Sequence, residues 1–180
     1  MDARTRPAVL VLTGPTATGK TAAAVHLCRA ASGEVVTADS MQVYRGMDVG
    51  TAKPTAAERG GVPHHLIDLA EPDEAFSVSR YVQAGSQCLD ALLARGALPV
   101  IAGGTGLYID ALLAGRAFAA CPQDGALRQA LSDEYDAVGG EAFRAQLRAV
   151  DPERADRLAP ADKKRLVRAM EVFRLTGRTI

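Results

Sequence analysis

Short strand-like runs alternate with glycine-containing turns and longer amphipathic segments through the first two thirds of the chain. The predicted strands are 8–12, 34–37, 65–69 and 98–102. Segments 20–31 and 78–95 space their apolar residues at helical intervals, which predicts two helices. Strands that alternate with helices favour an α/β fold with a mainly parallel sheet and helices on both faces. The run 8–12 is expected to be a buried strand.

The pattern changes after about residue 120, where only helical spacing continues. The predicted helices are 127–135, 141–150 and 162–175. Gly139-Gly140 and Asp151-Pro152 separate them. We therefore divide the chain into an α/β core over 1–119, a helical insertion over 120–160, and a helix over 161–180 that returns to the core.

Composition is that of an ordinary globular protein: 48% of the 180 residues are hydrophobic and 23% are charged. No apolar run is long enough to span a membrane, so we expect a cytoplasmic protein without membrane contact. Cys28, Cys88 and Cys121 are widely separated, which favours reduced thiols. They and the three histidines lack the spacing of metal ligands.

Charge is unevenly distributed although the net charge is zero. Residues 154–178 contain eight basic and three acidic side chains, a net charge of +5. Such a stretch could bind a polyanion, or it could be a solvated helix face.

The clearest motif is "GPTATGKT", which matches the phosphate-binding loop pattern G-x-x-x-x-G-K-[ST]. It comprises Gly14, Pro15, Thr16, Ala17, Thr18, Gly19, Lys20 and Thr21. The loop follows a predicted strand and opens a predicted helix, so its backbone N–H groups would form an anion site. Lys20 would face the outer phosphates, and the Thr21 hydroxyl could bind Mg²⁺. Such a loop recognises a diphosphate and not a base, so a nucleotide and an organic diphosphate both remain open.

Asp39 follows the second predicted strand directly. Carboxyl ends of parallel strands line the ligand crevice in this kind of sheet. Asp39 could therefore bind a metal ion or act as a general base. It could equally cap the turn that follows it.

Five blocks of sequence together resemble the tRNA dimethylallyltransferases, also called tRNA isopentenyltransferases. They are "GPTATGKT", "ADSMQVYRGMDVGTAKP", "VPHHLIDLAEPDEAFSV", "IAGGTGLYIDALLAG" and "KKRLVRAMEVFRLTG". The blocks occur in the order of that family and span nearly the whole chain. The related adenylate isopentenyltransferases share the first block and "DSMQVY" but usually lack the "GTAKP" form. The resemblance therefore favours the tRNA enzymes.

The resemblance implies transfer of a dimethylallyl group from dimethylallyl diphosphate to the N6 amine of an adenosine beside the anticodon. The loop phosphate is then the diphosphate of the prenyl donor. Lys20, and Thr21 with Mg²⁺, would stabilise the leaving diphosphate. Asp39 would accept the proton of the amine. Mg²⁺ is the expected cofactor, the tRNA anticodon stem-loop the expected partner, and a monomer the expected assembly.

The resemblance also implies that the insertion over 120–160 faces tRNA, and it implies a set of tRNA-contacting residues. They are Asp39, Ser40, Met41, Gln42, Thr105, Arg128, Lys164, Arg165, Leu166, Val167 and Arg168. Thr105 could instead be only a helix N-cap, and the family commonly has Gln where this chain has Lys164. With the resemblance, RNA binding becomes the favoured interpretation of the basic stretch.

The quoted blocks contain further residues whose roles can be predicted. Tyr44, Arg45 and Lys53 are expected to line the active site. The pair His64-His65 is expected to begin a strand and not to act in catalysis.

Members of the family are considerably longer, so we expect this chain to lack a C-terminal part with further tRNA-binding segments and an arginine that assists the leaving group. Alternative functions are an adenylate isopentenyltransferase, a P-loop small-molecule kinase, and an inactive fragment or module that only binds its ligand.

Overall fold

The computed structural model describes residues 8–115 and 124–179. The chain forms two compact units, residues 1–118 and 119–180. The boundary predicted between residues 119 and 120 lies outside the described residues, as does Cys121. Cys28 is buried and Cys88 is half-buried, and both are free thiols.

The first unit contains a parallel sheet and the helices that connect its strands. Its elements are β1 (Leu10–Thr13), α1 (Lys20–Ala31), β2 (Gly33–Thr37), α2 (Ala56–Arg59), β3 (His64–His65), α3 (Val78–Ala94), β4 (Leu98–Gly103) and α4 (Gly106–Leu113). The strand order is β1-β4-β2-β3, and every pairing is parallel. This confirms the predicted α/β fold of the phosphate-loop type.

The register of the sheet brings the carboxyl ends of three strands to one edge. Thr13 of β1 pairs with Gly103 of β4, and Thr37 of β2 pairs with Ala102 of β4. The segments that follow β1, β2 and β4 therefore leave the sheet side by side. Gly33 at the other end of β2 packs so closely that an added Cβ would lie 2.7 Å from the Leu98 carbonyl oxygen.

Two strand predictions need correction. The first strand forms, but the prediction that it is buried is wrong: Leu10 and Val11 are 38% and 37% exposed because β1 lies at one edge of the described sheet. The strand predicted over 65–69 is only His64–His65. Leu66 and Asp68 have φ values of 62° and 56°, which no β-strand accommodates.

The second unit is helical, as its sequence pattern indicates. Its described elements are α5 (Gly125–Val138), α6 (Gly140–Val150), α7 (Pro152–Arg157) and α8 (Lys163–Thr176). Phe143 and Leu147 of α6 are fully buried against Leu131 of α5 and Leu166 of α8. The return of the last helix to the α/β core stays a prediction, since the structure shows α8 packed on α5 and α6.

Among the described helices, none combines the length and the apolar character that crossing a membrane requires.

Candidate phosphate-binding cleft

The loop of residues 14–21 connects β1 to α1, which is the position that the predicted anion site requires. Gly19 is the N-cap of α1, and its φ of 80° is a left-handed conformation that glycine adopts without strain. The first turn of α1, which is fully described, contains no acidic side chain. The positive end of the helix dipole and its free N–H groups are therefore available to an anion.

Side chains within this loop stabilise its shape. The Thr18 hydroxyl donates to the Pro15 carbonyl at 2.8 Å. The Lys20 ammonium donates to the same carbonyl and lies 3.5 Å from Thr18 Oγ1. Ala17 has a φ of 64°, a conformation that costs a residue with a Cβ some free energy. The loop thus places a cation at the start of α1, where an outer phosphate would be bound.

A cleft of about 280 Å³ joins this loop to the ends of β2 and β4. Its lining includes Thr16, Ala17, Thr18, Gly19, Lys20, Thr21, Thr37, Asp39, Gln42, Gly103 and Gly104. The predicted phosphate loop and the predicted general base therefore share one cavity. Of the residues expected to contact RNA in this unit, Asp39 and Gln42 line the cleft. Ser40 and Met41 lie between them in the sequence, and Thr105 is hydrogen-bonded to Ser40.

Asp39 caps the turn after β2 and also lines the cleft. Its Oδ1 accepts hydrogen bonds from the backbone N–H groups of Met41, at 2.8 Å, and Gln42, at 3.3 Å. It therefore caps the turn that follows β2. Within the part of the chain that the structure describes, no donor contacts Oδ2. A carboxylate held by one oxygen can offer the other to a ligand in the cleft.

The backbone on both sides of Asp39 is fixed by β4 and the turn after it. The Ala38 N–H donates to the Ala102 carbonyl at 2.8 Å, and the Thr105 N–H donates to the Ala38 carbonyl at 3.1 Å. The Ser40 N–H donates to Thr105 Oγ1 at 3.0 Å. Thr105 does occupy the N-cap position of α4, but its hydroxyl makes no capping bond. Its side chain instead anchors the residue next to Asp39.

Gly103 is required for this close approach of the two segments. A Cβ at this position would lie 2.0 Å from the Ala38 carbonyl oxygen and 2.4 Å from the Ala38 carbonyl carbon. No real Cβ contact is that short, and both neighbours are backbone atoms. Sequence reasoning identified the glycine turn but not Gly103 as a residue that positions Asp39.

Three residues expected to line the active site lie outside this cleft. Tyr44, Arg45 and Lys53 are not among the residues that line it, so their place in the active site stays a prediction. Arg45 and Lys53 line a separate cavity of about 610 Å³, together with Asp48 and Asp68. The Lys53 ammonium forms ion pairs with Asp48 and Asp68, and these pairs hold its side chain in this second cavity.

The two adjacent histidines have structural partners. They form β3, as predicted. His64 Nδ1–H donates to the Val62 carbonyl at 2.9 Å, and burial lowers the pKa of His64, which favours its neutral form. His65 Nε2 lies 2.6 Å from a Glu34 carboxylate oxygen, which also binds Arg95. His64 also lines the cleft.

In the second unit a buried carboxylate organises the predicted RNA-contacting arginines. Glu171 is fully buried. Its Oε2 accepts from Arg128 Nη2 at 2.8 Å and from Arg168 Nη1 at 2.7 Å, and its Oε1 accepts from the Asp124 N–H at 3.1 Å. Burial raises the pKa of Glu171, but the Arg168, Arg128 and Asp124 hydrogen bonds outweigh it, so the net pKa is lowered. Sequence reasoning missed Glu171; its signal was a lone acid within a basic helix.

The remaining predicted contacts on α8 separate into surface and core. Lys164 and Arg165 are exposed, and Arg165 also pairs with Asp162 at 3.0 Å. Leu166 and Val167 are 0% and 5% exposed and belong to the apolar core of this unit. Their side chains therefore support the helix, and an RNA contact by these two side chains does not fit the structure.

In residues 8–115 and 124–179, His, Cys, Asp and Glu side chains form no cluster of three that could hold a metal ion. A hydroxyl such as that of Thr21, with oxygens of a bound diphosphate, is the ligand set that suits Mg²⁺, which retains much of its water in proteins. The cleft therefore fits a metal ion that arrives with its substrate.

A glycine-containing loop at a helix N-terminus, with a carboxylate that lines the same cleft at the ends of parallel strands, is the arrangement of an α/β protein of the P-loop class. The sequence matches the family model described as IPP transferase over residues 42–180, and that described as isopentenyl transferase over residues 7–71. The chain belongs to the IPP transferase family.

Individual relatives agree with this assignment. The chain is 53% identical over 164 residues to a tRNA dimethylallyltransferase of Anaeromyxobacter sp. (strain Fw109-5), covering 91% of this chain and 54% of that protein. It resembles the solved structure of the full-length tRNA isopentenylpyrophosphate transferase from Bacillus halodurans, with a TM-score of 0.63, 41% identity, and coverage of 96% and 57%. It also resembles a eukaryotic dimethylallyltransferase acting on tRNA, with a TM-score of 0.78, 28% identity, and coverage of 95% and 42%. The chain thus spans about half the length of the curated relatives it matches.

Proposed function

We propose that the protein transfers a dimethylallyl group from dimethylallyl diphosphate to the N6 amine of an adenosine adjacent to the anticodon of tRNA. The observation that carries the proposal is the single cleft lined by both the phosphate loop and Asp39. Family membership and the tRNA-modifying relatives support the identity of the two substrates.

The proposed reaction exchanges one bond for another. The bond between the allylic carbon and the diphosphate oxygen breaks, and its electron pair leaves with the diphosphate. The N6 lone pair forms the new carbon–nitrogen bond, and an N6 proton passes to the Asp39 carboxylate. Because the amine lone pair is delocalised into adenine, a base that accepts this proton contributes about 10²–10⁴ in rate.

The phosphate loop would bind and stabilise the leaving group. Backbone N–H groups at the start of α1 and the Lys20 ammonium are donors for diphosphate oxygens as their charge increases. The Thr21 hydroxyl would help to hold Mg²⁺, which when bound neutralises charge on the diphosphate. The target adenosine must leave its stack in order to enter such a cleft.

Each of the two units contributes its own set of proposed tRNA contacts. In the first unit, Asp39, Ser40, Met41, Gln42 and Thr105 lie at the cleft or beside it. In the second unit, Arg128, Lys164, Arg165 and Arg168 would bind backbone phosphates, and Leu166 and Val167 would support their helix from the core. A cytoplasmic monomer is the proposed working form, in keeping with a tRNA substrate.

Transfer of a radiolabelled dimethylallyl group to an anticodon stem-loop RNA in the presence of Mg²⁺ tests the proposal. Label in the RNA, abolished by Asp39→Ala, is the expected result. Ligand-induced stabilisation provides an assay independent of turnover: a ligand at one hundred times its Kd raises the free energy of unfolding by about 2.7 kcal/mol. Dimethylallyl thiodiphosphate should stabilise the protein in this way. Stabilisation by an ATP analogue, with no effect of the thiodiphosphate and no label in RNA, would instead support a kinase.

A further inference from the structure

The segment between Tyr44 and Pro54 is held in place by one buried lysine. The Lys53 side chain is 3% exposed. Its ammonium donates to Asp68 Oδ1 at 2.6 Å and to the Tyr44 carbonyl at 2.7 Å, and lies 2.8 Å from Asp48 Oδ1. An ammonium group has three N–H donors, so these three partners use all of them.

The residues just before Lys53 contact a side chain of the cleft. Gln42 Nε2 donates to the Thr51 carbonyl at 3.1 Å and to the Ala52 carbonyl at 3.2 Å. Carbonyl oxygens only accept hydrogen bonds, so the amide nitrogen of Gln42 must be the end that faces them. Both N–H groups of the amide are thereby used, and its orientation is fixed.

This orientation leaves the Gln42 carbonyl oxygen as the group that a ligand can use. Gln42 lines the cleft next to Asp39. Among the described residues, none donates to Gln42 Oε1. A fixed, acceptor-only group beside a carboxylate suits a ligand edge that carries N–H donors, and the exocyclic amine of adenine is such an edge.

We propose that Lys53 is a positioning residue for nucleobase recognition: it orders residues 48–53, whose carbonyls hold Gln42 so that its Oε1 accepts an N–H of the target adenine. This inference rests on the proposed function, because it takes an adenosine as the group that enters the cleft. Lys53 itself does not touch the substrate, since it lines a different cavity from Gln42.

The charges around Lys53 favour its protonated form, so its contacts with Asp48, Asp68 and the Tyr44 carbonyl, here called the Lys53 clamp, persist across pH. Burial lowers the pKa of Lys53, but its bonds with Asp48 and Asp68 outweigh that effect and raise it overall. Lys53 therefore keeps its proton and its three donors throughout the pH range of an RNA-binding assay. Asp68 also has a φ of 56°, so the chain turns sharply where it meets the ammonium group.

The test compares binding of two anticodon stem-loop RNAs, one with the target adenosine and one with purine ribonucleoside, which lacks the amine. Each is titrated against the wild-type chain and against Lys53→Met and Gln42→Ala in the presence of dimethylallyl thiodiphosphate. Loss of one hydrogen bond corresponds to about two- to tenfold in affinity. We expect both variants to lose this factor for the adenosine RNA and to bind the purine RNA as the wild type does. The double variant should bind no more weakly than Gln42→Ala.

Two further variants separate positioning from general stability. Arg95→Met removes an ion pair with Glu34 at another part of the sheet, and it should leave the affinities for both RNAs unchanged. Asp68→Asn weakens the clamp but retains a side chain that tolerates positive φ, and should give a smaller loss confined to the adenosine RNA. It keeps the test valid if Lys53→Met does not fold.

The outcomes separate the positioning role of Lys53 from the proposed transfer to tRNA. Equal losses for both RNAs in Lys53→Met or Asp68→Asn, or losses that add to that of Gln42→Ala, would overturn the positioning role and leave the proposed function intact. A wild-type chain that binds the donor analogue and neither RNA would overturn both the tRNA substrate and the inference.

Discussion

Substitution of Gly103 by alanine should displace the backbone that carries Asp39. The added Cβ would lie 2.0 Å from the Ala38 carbonyl oxygen, whereas ordinary contact begins near 3.4 Å. The segment that carries Gly103 or the segment that carries Ala38 must therefore move by more than 1 Å. The movement stretches the bond from the Thr105 N–H to the Ala38 carbonyl, now 3.1 Å long.

The expected cost follows from these contacts. Overpacking of a tight site costs about 1–3 kcal/mol. Loss of one backbone hydrogen bond adds about 1 kcal/mol. Gly103→Ala should therefore lower the free energy of unfolding by about 2–4 kcal/mol. A displacement of about 1 Å at a reacting group can reduce the rate about 10²-fold, so transfer should decrease more than folding does.

Gly106→Ala is the matched control, because it makes the same change three residues later, at a residue that does not line the cleft. Among the described residues, no heavy atom lies within 4 Å of the Cβ that it would add. Urea unfolding gives the stability of both variants, and single-turnover transfer gives the rate at saturating donor. Similar stability and rate in the two variants would refute the argument that Gly103 sets the position of Asp39.

Three further predictions concern single carboxylates. Asp39→Asn should slow transfer about 10²–10⁴-fold while the affinity for dimethylallyl thiodiphosphate is unchanged; weaker binding of that analogue would show that Asp39 acts on the donor instead. The hydrogen bond from Arg95 holds the pKa of Glu34 below its ordinary value, although burial opposes this. Its contribution to stability is therefore present above about pH 4.3 and is lost as pH falls through the lowered pKa, so urea unfolding of Glu34→Gln should show a smaller decline in acid than the wild type. Glu171→Gln should lower the free energy of unfolding by about 2–3 kcal/mol, less than a fully buried ion pair would, because Arg128 is 44% exposed and can be solvated; no loss would mean that the pair is not stabilising.

Local pattern was sufficient for the helices whose ends are set by nearby residues. The bounds of α1 were predicted as they are found, because Gly19 and the loop fix its start and the apolar spacing its length. The short helix α2 was missed, since its capping box of Thr55 and Glu58 encloses only four residues. The exposure of β1 was also beyond a local pattern, because it depends on which strand lies beside it.

Residues of the candidate site were likewise identified where the signal is local and missed where it is not. The phosphate loop and Asp39 were identified in sequence because each follows a strand and carries its own chemistry. Gly103 and Glu171 were missed because their roles depend on partners far along the chain, Ala38 and Arg128 respectively. The ion pair of Lys53 was missed for the same reason: its partner Asp68 lies on a segment predicted to be a strand.

The strand order has a consequence for how this protein folds. β4 lies between β1 and β2, yet it is the last of the three to be synthesised. The sheet cannot close until Leu98–Gly103 inserts between strands that begin at Leu10 and Gly33. Pairings so distant in sequence carry a loop-closure cost that local helices do not, and they slow folding. The phosphate loop and Asp39 should therefore become a working pair only late, after the first hundred residues have left the ribosome.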